Sequence, residues 1–268
     1  MIAIPILSVL LLLFLIYVFL VAPKNKKEMD YYKTKYYAHR GLHNGERAEN
    51  SISAFRAAVE AGYGIELDIR LSKDGKLVVF HDDTLDRVCG REGKVIDFTA
   101  DELATFSLSG TADGVPLFSD VLSLVNGRVP LLVEIKEDAG VSAVSLAACE
   151  MLKGYKGEFI VESFNPLSLK TVRENMPEIS RGILSQRYFE YERCRKPLFL
   201  ALQALLLNFL CRPAFIAYDH RHARAFGRRF VRAFFKAPTL AWTVRSAEEE
   251  KVARENGFDG IIFENYTP

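Results

Sequence analysis

The chain has 268 residues, of which 49% are hydrophobic and 26% are charged, and its formal net charge is +1. This size suits one large domain or two small ones, and the balanced charge gives no indication of a nucleic-acid-binding protein. The four cysteines lack paired or metal-ligand spacing, which predicts reduced, mostly buried thiols rather than a disulfide framework: Cys89, Cys149, Cys194 and Cys211.

The amino-terminal segment, residues 2–22, contains no charged side chain. As a helix it would be about 31 Å long, which matches the hydrocarbon core of a bilayer. A cleaved signal peptide fits less well, because Met1 leads directly into the apolar run and Leu20-Val21-Ala22 is a poor cleavage site. A buried core helix would normally have one polar face. We therefore predict a single transmembrane anchor over residues 1–23.

A basic linker over residues 24–35 follows the predicted anchor. No basic side chain precedes the apolar run, whereas five lysines follow it: Lys24, Lys26, Lys27, Lys33 and Lys35. Because positive charge is retained on the cytoplasmic side of a membrane, this asymmetry predicts that the large carboxy-terminal part faces the cytoplasm.

Eight apolar runs typical of strands follow, and helical patterns fill most of the gaps between them. The runs are residues 36–38, 65–71, 130–136, 159–164, 181–185, 215–218, 239–244 and 260–263. The clearest helical patterns are residues 51–61, 141–152, 166–175 and 247–256. This alternation predicts parallel β-α-β units, and eight repeats favour an α/β fold of the (β/α)8 TIM-barrel type over residues 36–268. A doubly wound open sheet is the main alternative.

One gap, residues 72–129, is far longer than a single helix requires. It contains the turn signal Lys73-Asp74-Gly75, the apolar run 77–80 and His81, and then a long polar stretch. We interpret it as an insertion after the second strand. In a barrel this end of the strand lies at the catalytic face.

Charged side chains occur at matching places on two of the predicted strands. A period of two places Glu66 and Asp68 on one face of the second strand, and Glu134 and Lys136 repeat the spacing in the third. Neighbouring carboxylates are costly to ionise unless a cation or a proton lies between them. Hard divalent cations prefer such oxygen ligands. We therefore predict that the three acids hold one Ca²⁺ or Mg²⁺.

Four further residues at the predicted strand ends suit phosphate chemistry. Arg40 and Lys136 provide fixed positive charge for an anion, whereas His39 and His81 suit proton transfer near neutral pH. Taken singly, each residue could be structural. Together with a cation they fit phosphodiester cleavage, in which one histidine activates the nucleophile and the other protonates the leaving alcohol.

An ordered series of motifs over residues 36–268 resembles the glycerophosphodiester phosphodiesterase family. The motifs are His39-Arg40-Gly41, Glu49-Asn50, Glu66-x-Asp68, the run from His81 to Arg87, Glu134-x-Lys136, Ser163-Phe164-Asn165 and Trp242-Thr243-Val244. The resemblance implies a TIM barrel with a small insertion after strand two. It also implies a divalent metal and hydrolysis of glycerophosphodiesters to an alcohol and glycerol 3-phosphate.

The resemblance also implies a role for each matching position. The implied set comprises the acid/base pair His39 and His81, the metal ligands Glu66, Asp68 and Glu134, the phosphate contacts Arg40 and Lys136, and the aromatic cleft walls Phe164 and Trp242. Glu49 is expected to orient Arg40 or substrate hydroxyls. The sequence departs from the family around Ala48 and at Arg245, which leaves cleft shape and substrate choice open.

Three readings of substrate and partner remain at this point. The main one is a glycerophosphodiester phosphodiesterase, and the alternatives are a lysophospholipase D and a catalytically inactive lipid-binding barrel. Residues 221–236, read as a helix, would carry arginines on one face and phenylalanines largely opposite, which is typical of a membrane-surface helix or of an outer barrel helix. The apolar run 197–211 is too short to span a bilayer and fits a barrel helix better than a membrane-dipping segment.

Overall fold

The computed structural model describes residues 3–23, 36–137 and 142–268. The predicted linker, residues 24–35, lies outside these ranges, as does the first residue of the helix predicted over 141–152. The domain limits predicted at residues 1–23, 24–35 and 36–268 therefore stay predictions.

Within the described residues, eight parallel strands form a closed barrel, because β1 pairs with both β2 and β9. A ninth strand, β3, pairs antiparallel with β2 outside the ring. The strands are β1 Tyr36–Ala38, β2 Gly64–Leu71, β3 Leu77–Val79, β4 Leu131–Ile135, β5 Phe159–Ser163, β6 Arg181–Ser185, β7 Phe215–Asp219, β8 Thr239–Val244 and β9 Gly260–Phe263. The predicted TIM-barrel architecture is confirmed, and the open sheet is excluded.

The four helices predicted most clearly, over 51–61, 141–152, 166–175 and 247–256, begin and end within two residues of their expected limits. Helices surround the barrel. They are α1 Ala3–Val21, α2 Ile52–Ala61, α3 Asp86–Cys89, α4 Ala100–Leu103, α5 Phe118–Val125, α6 Ala143–Leu152, α7 Pro166–Asn175, α8 Pro197–Gln203, α9 Asn208–Cys211, α10 Phe226–Phe235 and α11 Ala247–Glu255. Short 3₁₀ turns lie at Val95–Asp97, Tyr188–Glu190, Glu192–Cys194 and His220–His222. Local signals set these limits: Ser51 caps α2 by accepting from Ala54 N, and Gly62 ends that helix with φ +76°.

Side chains inside the barrel alternate with those that pack under the helices. The lower interior is apolar and includes Tyr37, Leu132, Ile160, Leu184, Leu240 and Ile262. Two residues further along the strand, the interior positions become charged: Glu134 lies two residues after Leu132, and Glu162 lies two residues after Ile160. The apolar layer therefore forms a floor, and the charged layer above it opens at the carboxyl ends of the strands.

The long gap after β2 forms a small satellite with its own core. Val78, Phe80, Leu85, Leu103 and other residues pack into a cluster distinct from the main one. The predicted insertion, residues 72–129, is too long at its carboxy-terminal end. Its last helix, α5, packs with the barrel core and lies against α2. It is the ordinary helix between the second and third barrel strands.

The predicted transmembrane anchor is wrong. Over residues 3–23, 36–137 and 142–268, none of the helices combines the length and hydropathy that crossing a membrane requires. The 19-residue α1 instead has its last turns in contact with the barrel, where Asn208 Nδ2 donates to Val21 O at 3.2 Å and Arg212 Nη1 donates to Phe19 O at 2.8 Å. The membrane location and the cytoplasmic orientation inferred from that anchor are withdrawn with it.

The predicted basic face over residues 221–236 is also not formed. The helix begins at Phe226, and Arg228 is only 1% exposed, with its guanidinium carbon 3.7 Å from the centre of the Phe258 ring. Phe230, on the opposite side, packs against Tyr17 of α1, with 4.9 Å between ring centres. This segment is an outer barrel helix whose central arginine is buried, and that burial removes the basis for a lipid-binding face.

Candidate active site

Three carboxylates from two neighbouring strands meet at the barrel mouth. Glu66 and Asp68 face the interior from β2, and Glu134 faces it from β4, where it is in register with Asp68. All three residues are buried, and one ligand oxygen from each lies within 4.8 Å of the others. The alternation that puts two acids on one face of β2 thus also brings the third acid beside them.

Burial and mutual repulsion oppose the ionisation of two of these acids. Burial raises the pKa of Glu66 well above its ordinary value, and the charges of Asp68 and Glu134 add to the effect. Burial likewise raises the pKa of Glu134 to about 7, against the opposing charge of Lys136. Burial also acts to raise the pKa of Asp68, but nearby cations, Lys136 above all, outweigh it and hold that pKa well below its usual range. A bound cation would favour ionisation of all three.

The cluster fits a hard divalent cation. All of its ligand atoms are carboxylate oxygens, which such ions prefer. Two hydrogen bonds hold the carboxylates in place: Asn50 Nδ2 donates to Asp68 Oδ2 at 2.8 Å, and the backbone N–H of Arg40 donates to Glu66 Oε2 at 2.8 Å. Such outer contacts orient ligands for a metal.

Two cationic side chains border the acids. Lys136 Nζ lies 2.7 Å from Glu134 Oε1 and 3.1 Å from Asp68 Oδ1. Arg40 Nε is buried, lies 3.6 Å from Asp68 Oδ2, and has no hydrogen-bond acceptor among the described residues. Three ionised acids and two cations leave a charge of −1, which one divalent ion would change to +1. The mouth would then attract a phosphodiester anion.

Two imidazoles at the mouth are each hydrogen-bonded to a carboxylate. His39 Nδ1 lies 3.1 Å from Glu264 Oε2, and His81 Nδ1 lies 2.6 Å from Asp82 Oδ1. Burial acts to lower the pKa of both rings, and the charge of Asp68 acts to raise it. Burial lowers the pKa of His39 to about 4 and also lowers that of His81, so both rings are neutral near pH 7. With Nδ1 engaged, each ring has Nε2 left for proton transfer.

A chain of ion pairs connects the insertion to the barrel. Arg40 Nη1 donates to Glu49 Oε1 at 2.8 Å, and Arg87 donates to both oxygens of Glu49 at 2.6 and 2.8 Å. Arg87 Nε also donates to Asp82 Oδ2 at 2.6 Å. Through these contacts the partner of His81 is held in a fixed place relative to the loop that carries Arg40.

Phe164 and Trp242 form an aromatic wall beside the charged cluster. Their ring centres are 5.5 Å apart at an interplanar angle of 89°, and Lys136 Nζ lies 5.9 Å from the centre of the Phe164 ring. Trp242 Nε1 is buried and has no hydrogen-bond partner among the described residues. The structure thus brings all ten predicted site residues to one end of the barrel.

A fourth buried acid lies at this mouth and was not among the residues predicted from the sequence. Glu162 of β5 is in register with Glu134 and is 1% exposed. Burial, followed by the charges of Glu134 and Glu66, raises its pKa well above the ordinary value. The alternation of side chains along β5 could have predicted its position, because Glu162 lies two residues before Phe164 and therefore shares its inward face.

The histidine partners Glu264 and Asp82 and the bridging Arg87 were also not assigned roles. Glu264 directly follows β9, so the rule that places strand ends at the mouth would have indicated it. Asp82 and Arg87 lie inside a quoted motif, but their mutual contact depends on how the insertion folds. No periodicity in the sequence specifies that contact.

Two other features near the barrel fit a metal-assisted active site less well than the acidic cluster does. His39, His43 and Glu264 form a second group with metal-ligand spacing, but Arg245 Nη2 lies 3.1 Å from Glu264 Oε2 and already neutralises that carboxylate. A cavity of about 930 Å³ is lined by His220 and Phe226, among others, and contains none of the three carboxylates of the mouth. The acidic cluster therefore remains the candidate centre.

Comparisons with known proteins agree with this geometry. A family model described as the glycerophosphoryl diester phosphodiesterase family matches residues 39–267. A glycerophosphodiester phosphodiesterase of Caldanaerobacter subterraneus is 37% identical over 166 residues, which are 58% of this chain and 68% of that protein. A human lysophospholipase D is 28% identical over 149 residues, 51% of this chain and 46% of that protein. The matched segments thus span about two thirds of the bacterial relatives' length and less than half of the human one.

Solved structures extend the similarity to the fold. A glycerophosphodiester phosphodiesterase of Thermotoga maritima superposes with a TM-score of 0.65 at 28% identity, covering 85% of this chain and 93% of the other. A phosphodiesterase of Oleispira antarctica, solved with sn-glycerol-3-phosphate, superposes with a TM-score of 0.70 at 22% identity over 86% and 93% of the two chains. With a family match over most of its length and this barrel, the chain belongs to the glycerophosphoryl diester phosphodiesterase family and is a phosphoric diester hydrolase.

Proposed function

We propose that the protein hydrolyses glycerophosphodiesters to an alcohol and glycerol 3-phosphate, with a divalent cation, Ca²⁺ or Mg²⁺, held by Glu66, Asp68 and Glu134. One observation carries the proposal: a buried acidic triad shares the barrel mouth with two fixed cations and two neutral, carboxylate-paired histidines. Similarity to glycerophosphodiester phosphodiesterases of Caldanaerobacter and Thermotoga supports the substrate class.

The cations of the mouth would bind the phosphate. Arg40 Nε has no acceptor among the described residues, so it is a free donor for a phosphate oxygen. Lys136 provides a second positive charge close to the same place; burial alone would lower its pKa, but the charges of Asp68 and Glu134 outweigh burial and raise it. When bound, the metal ion would neutralise phosphate charge and polarise the phosphorus–oxygen bonds.

His39 and His81 would move the protons. One, in its neutral form, accepts a proton from the attacking hydroxyl group through Nε2. The other must first be protonated, and as an imidazolium it gives its Nε2 proton to the departing alcohol. Glu264 and Asp82 each fix one tautomer by engaging Nδ1. Phe164 and Trp242 would exclude water from one side of the substrate, and Glu49 would hold Arg40 in its phosphate-binding position.

The purified protein tests this function directly with glycerophosphocholine. We expect release of choline and glycerol 3-phosphate in Ca²⁺ or Mg²⁺, loss of that activity on chelation, and recovery when the ion is returned. Absence of turnover of both glycerophosphocholine and lysophosphatidylcholine, with either ion, would favour a catalytically inactive lipid-binding barrel.

A lysophospholipase D is the second candidate, favoured by an aromatic groove next to Phe164. In that case lysophosphatidylcholine would be hydrolysed and glycerophosphocholine would not. Similarity to the human lysophospholipase D is consistent with this candidate.

A further inference from the structure

The cavity of about 930 Å³ beside the barrel has no part in the proposed reaction. It is lined by residues of β7, α8, α10 and α11 and of the loop between β7 and α10. None of the ten predicted site residues is among the described residues that line it. Its volume is typical of a small-molecule site, so we asked which ligand its lining would suit.

Part of the cavity wall offers hydrogen-bond donors to an anion. Arg224 is exposed and makes no ion pair or hydrogen bond with any residue that the structure describes. Two residues later α10 begins at Phe226, and no side chain caps its first turn. The first N–H groups of a helix have no partner within it and carry a partial positive charge. Together these donors suit a phosphate group.

The charge of the lining limits the size of that anion. Among the described residues, three arginines and two glutamates line the cavity, so its formal net charge is only +1 with histidines counted as neutral. Two of the arginines are already engaged. Arg221 donates to both oxygens of Asp219, at 3.0 and 2.6 Å, and Arg187 Nη1 lies 3.7 Å from Glu190 Oε1. A single phosphate group is therefore favoured over a polyphosphate or a nucleic acid.

Two buried polar atoms of the lining await a partner. Tyr218 is 0% exposed, and its hydroxyl group makes no hydrogen bond with any described residue. Ser185 lies close to it, but its own hydroxyl group donates to Leu202 O at 3.2 Å. Gln203 Oε1 is likewise buried and without a donor in the described part of the chain. Because buried polar groups are costly to leave unpaired, both atoms indicate a ligand with hydroxyl groups.

The same cavity also has an apolar surface. Phe226 and Val252 line it and are 71% and 50% exposed. They can cover the carbon skeleton of a ligand, which inorganic phosphate lacks. The lining therefore suits an organic phosphate better than the free ion.

We infer that this cavity binds the phosphate monoester of a polyol, at a site separate from the catalytic mouth. The phosphate group lies at Arg224 and the first turn of α10, and hydroxyl groups of the ligand bond to Tyr218 and Gln203. Glycerol 3-phosphate, the product of the proposed hydrolysis, is a small member of this class. Binding at this site requires neither a metal ion nor turnover, so it can be tested apart from the proposed function.

Calorimetric titration of the full chain, with chelator present, tests the site. The probes are inorganic phosphate and glycerol 3-phosphate. Without a metal ion, the three acids of the mouth outnumber its two cations, so the mouth should repel both probes. We expect saturable binding of both, with the lower Kd for glycerol 3-phosphate. Absence of saturable binding of either probe up to about 10 mM would overturn the inference.

Matched variants locate the phosphate group. Arg224→Gln removes a charge-assisted hydrogen bond and should raise the Kd of both probes roughly tenfold. Arg229→Gln removes the same charge from an exposed position of α10 outside the cavity lining, and should leave both values unchanged. Equal losses in these two variants would reveal a general effect of charge and overturn the site. Loss of binding in Lys136→Gln would place the ligand in the catalytic mouth, which would also overturn it.

Tyr218→Phe tests the polyol part of the ligand. It should raise the Kd for glycerol 3-phosphate roughly threefold to tenfold and leave that for inorganic phosphate unchanged. Because the hydroxyl group is unpaired without ligand, the melting temperature of the free variant should not fall. A lower melting temperature would mean that this group is already paired, which would remove the basis for the inference. Equal affinity of the two probes, or unchanged glycerol 3-phosphate binding in Tyr218→Phe, would rule out a polyol phosphate.

Discussion

At the scale of single residues, the histidine–carboxylate pairs set the protonation of the site. Burial lowers the pKa of His39, whereas its hydrogen bond to Glu264 and the charge of that carboxylate act to raise it. Burial would raise the pKa of Glu264, but His39 and Arg245 outweigh that effect and lower the pKa to about 2. Glu264 is therefore ionised throughout the working range and holds His39 in one tautomer.

Replacement of this carboxylate should be visible in the pH–rate profile. Glu264→Gln removes a charge that raises the pKa of His39, so the limb of kcat/KM set by His39 should move to lower pH. Loss of orientation should also reduce kcat by roughly 10²-fold. The exposed Glu248→Gln should leave both quantities unchanged. A profile and kcat identical to those of the unsubstituted protein would show that Glu264 does not act on His39.

At the scale of elements, the insertion after β2 is attached to the barrel through Arg87. This arginine pairs with Glu49 from the barrel loop and with Asp82 from the insertion, and its side chain is half exposed. Exposed ion pairs contribute little to stability. Its main role should therefore be to position His81.

Loss of that bridge should affect catalysis more than folding. We expect Arg87→Ala to reduce kcat/KM for glycerophosphocholine by about tenfold, because His81 loses its fixed orientation, with little change in melting temperature. Arg91→Ala is the matched control, since Arg91 stacks on Phe106 within the insertion and makes no hydrogen bond or ion pair with a site residue in the described part of the chain. Equal losses in both variants would indicate a general effect on the insertion instead.

Some of the secondary-structure elements could be predicted from the sequence, and others could not. Apolar alternation predicted the barrel strands, because a buried parallel strand needs apolar side chains on both faces except where the mouth begins. The predictions for α1 and α10 failed because side chains expected to face lipid pack against neighbouring elements instead. Tyr17 of α1 lies on Phe230, and Arg228 lies on Phe258. Composition and helical period describe one helix at a time and do not specify its neighbours.

The candidate site was more predictable than its supporting contacts. Glu66, Asp68 and Glu134 follow from strand period and strand order together. Glu162 follows from the same period once the inward face of β5 is known. The bridge through Arg87 does not, because it depends on the three-dimensional path of an irregular insertion.

At the scale of the whole molecule, the acidic mouth couples stability to pH and to metal. Folding raises the pKa of Glu134 from an ordinary 4.5 to about 7, so the folded state holds its proton more tightly than the unfolded chain does. That contribution to stability is complete below the ordinary value and is lost as the pH rises through about 7. His39 acts in the opposite direction, since its lowered pKa makes folding more favourable as the pH rises.

Comparison with Glu134→Gln isolates the carboxylate. With chelator present, we expect the free energy of unfolding of Glu134→Gln to gain on that of the unsubstituted protein as the pH rises from about 5 to about 8. With excess Ca²⁺ or Mg²⁺ at about pH 8 the order should reverse, because only the unsubstituted protein keeps all three ligands. Denaturant melts of both proteins under these three conditions measure the differences in the free energy of unfolding. A pH-independent difference would contradict the raised pKa.

The location of the bound ion tests the central claim most directly. Crystals grown with Ca²⁺ or its substitute Mn²⁺, together with glycerol 3-phosphate, should show one anomalous-scattering peak about 2.0–2.6 Å from carboxylate oxygens of Glu66, Asp68 and Glu134. The phosphate should lie within hydrogen-bonding distance of Arg40 and Lys136. An ion bound elsewhere, or a phosphate bound away from His39 and His81, would contradict the account.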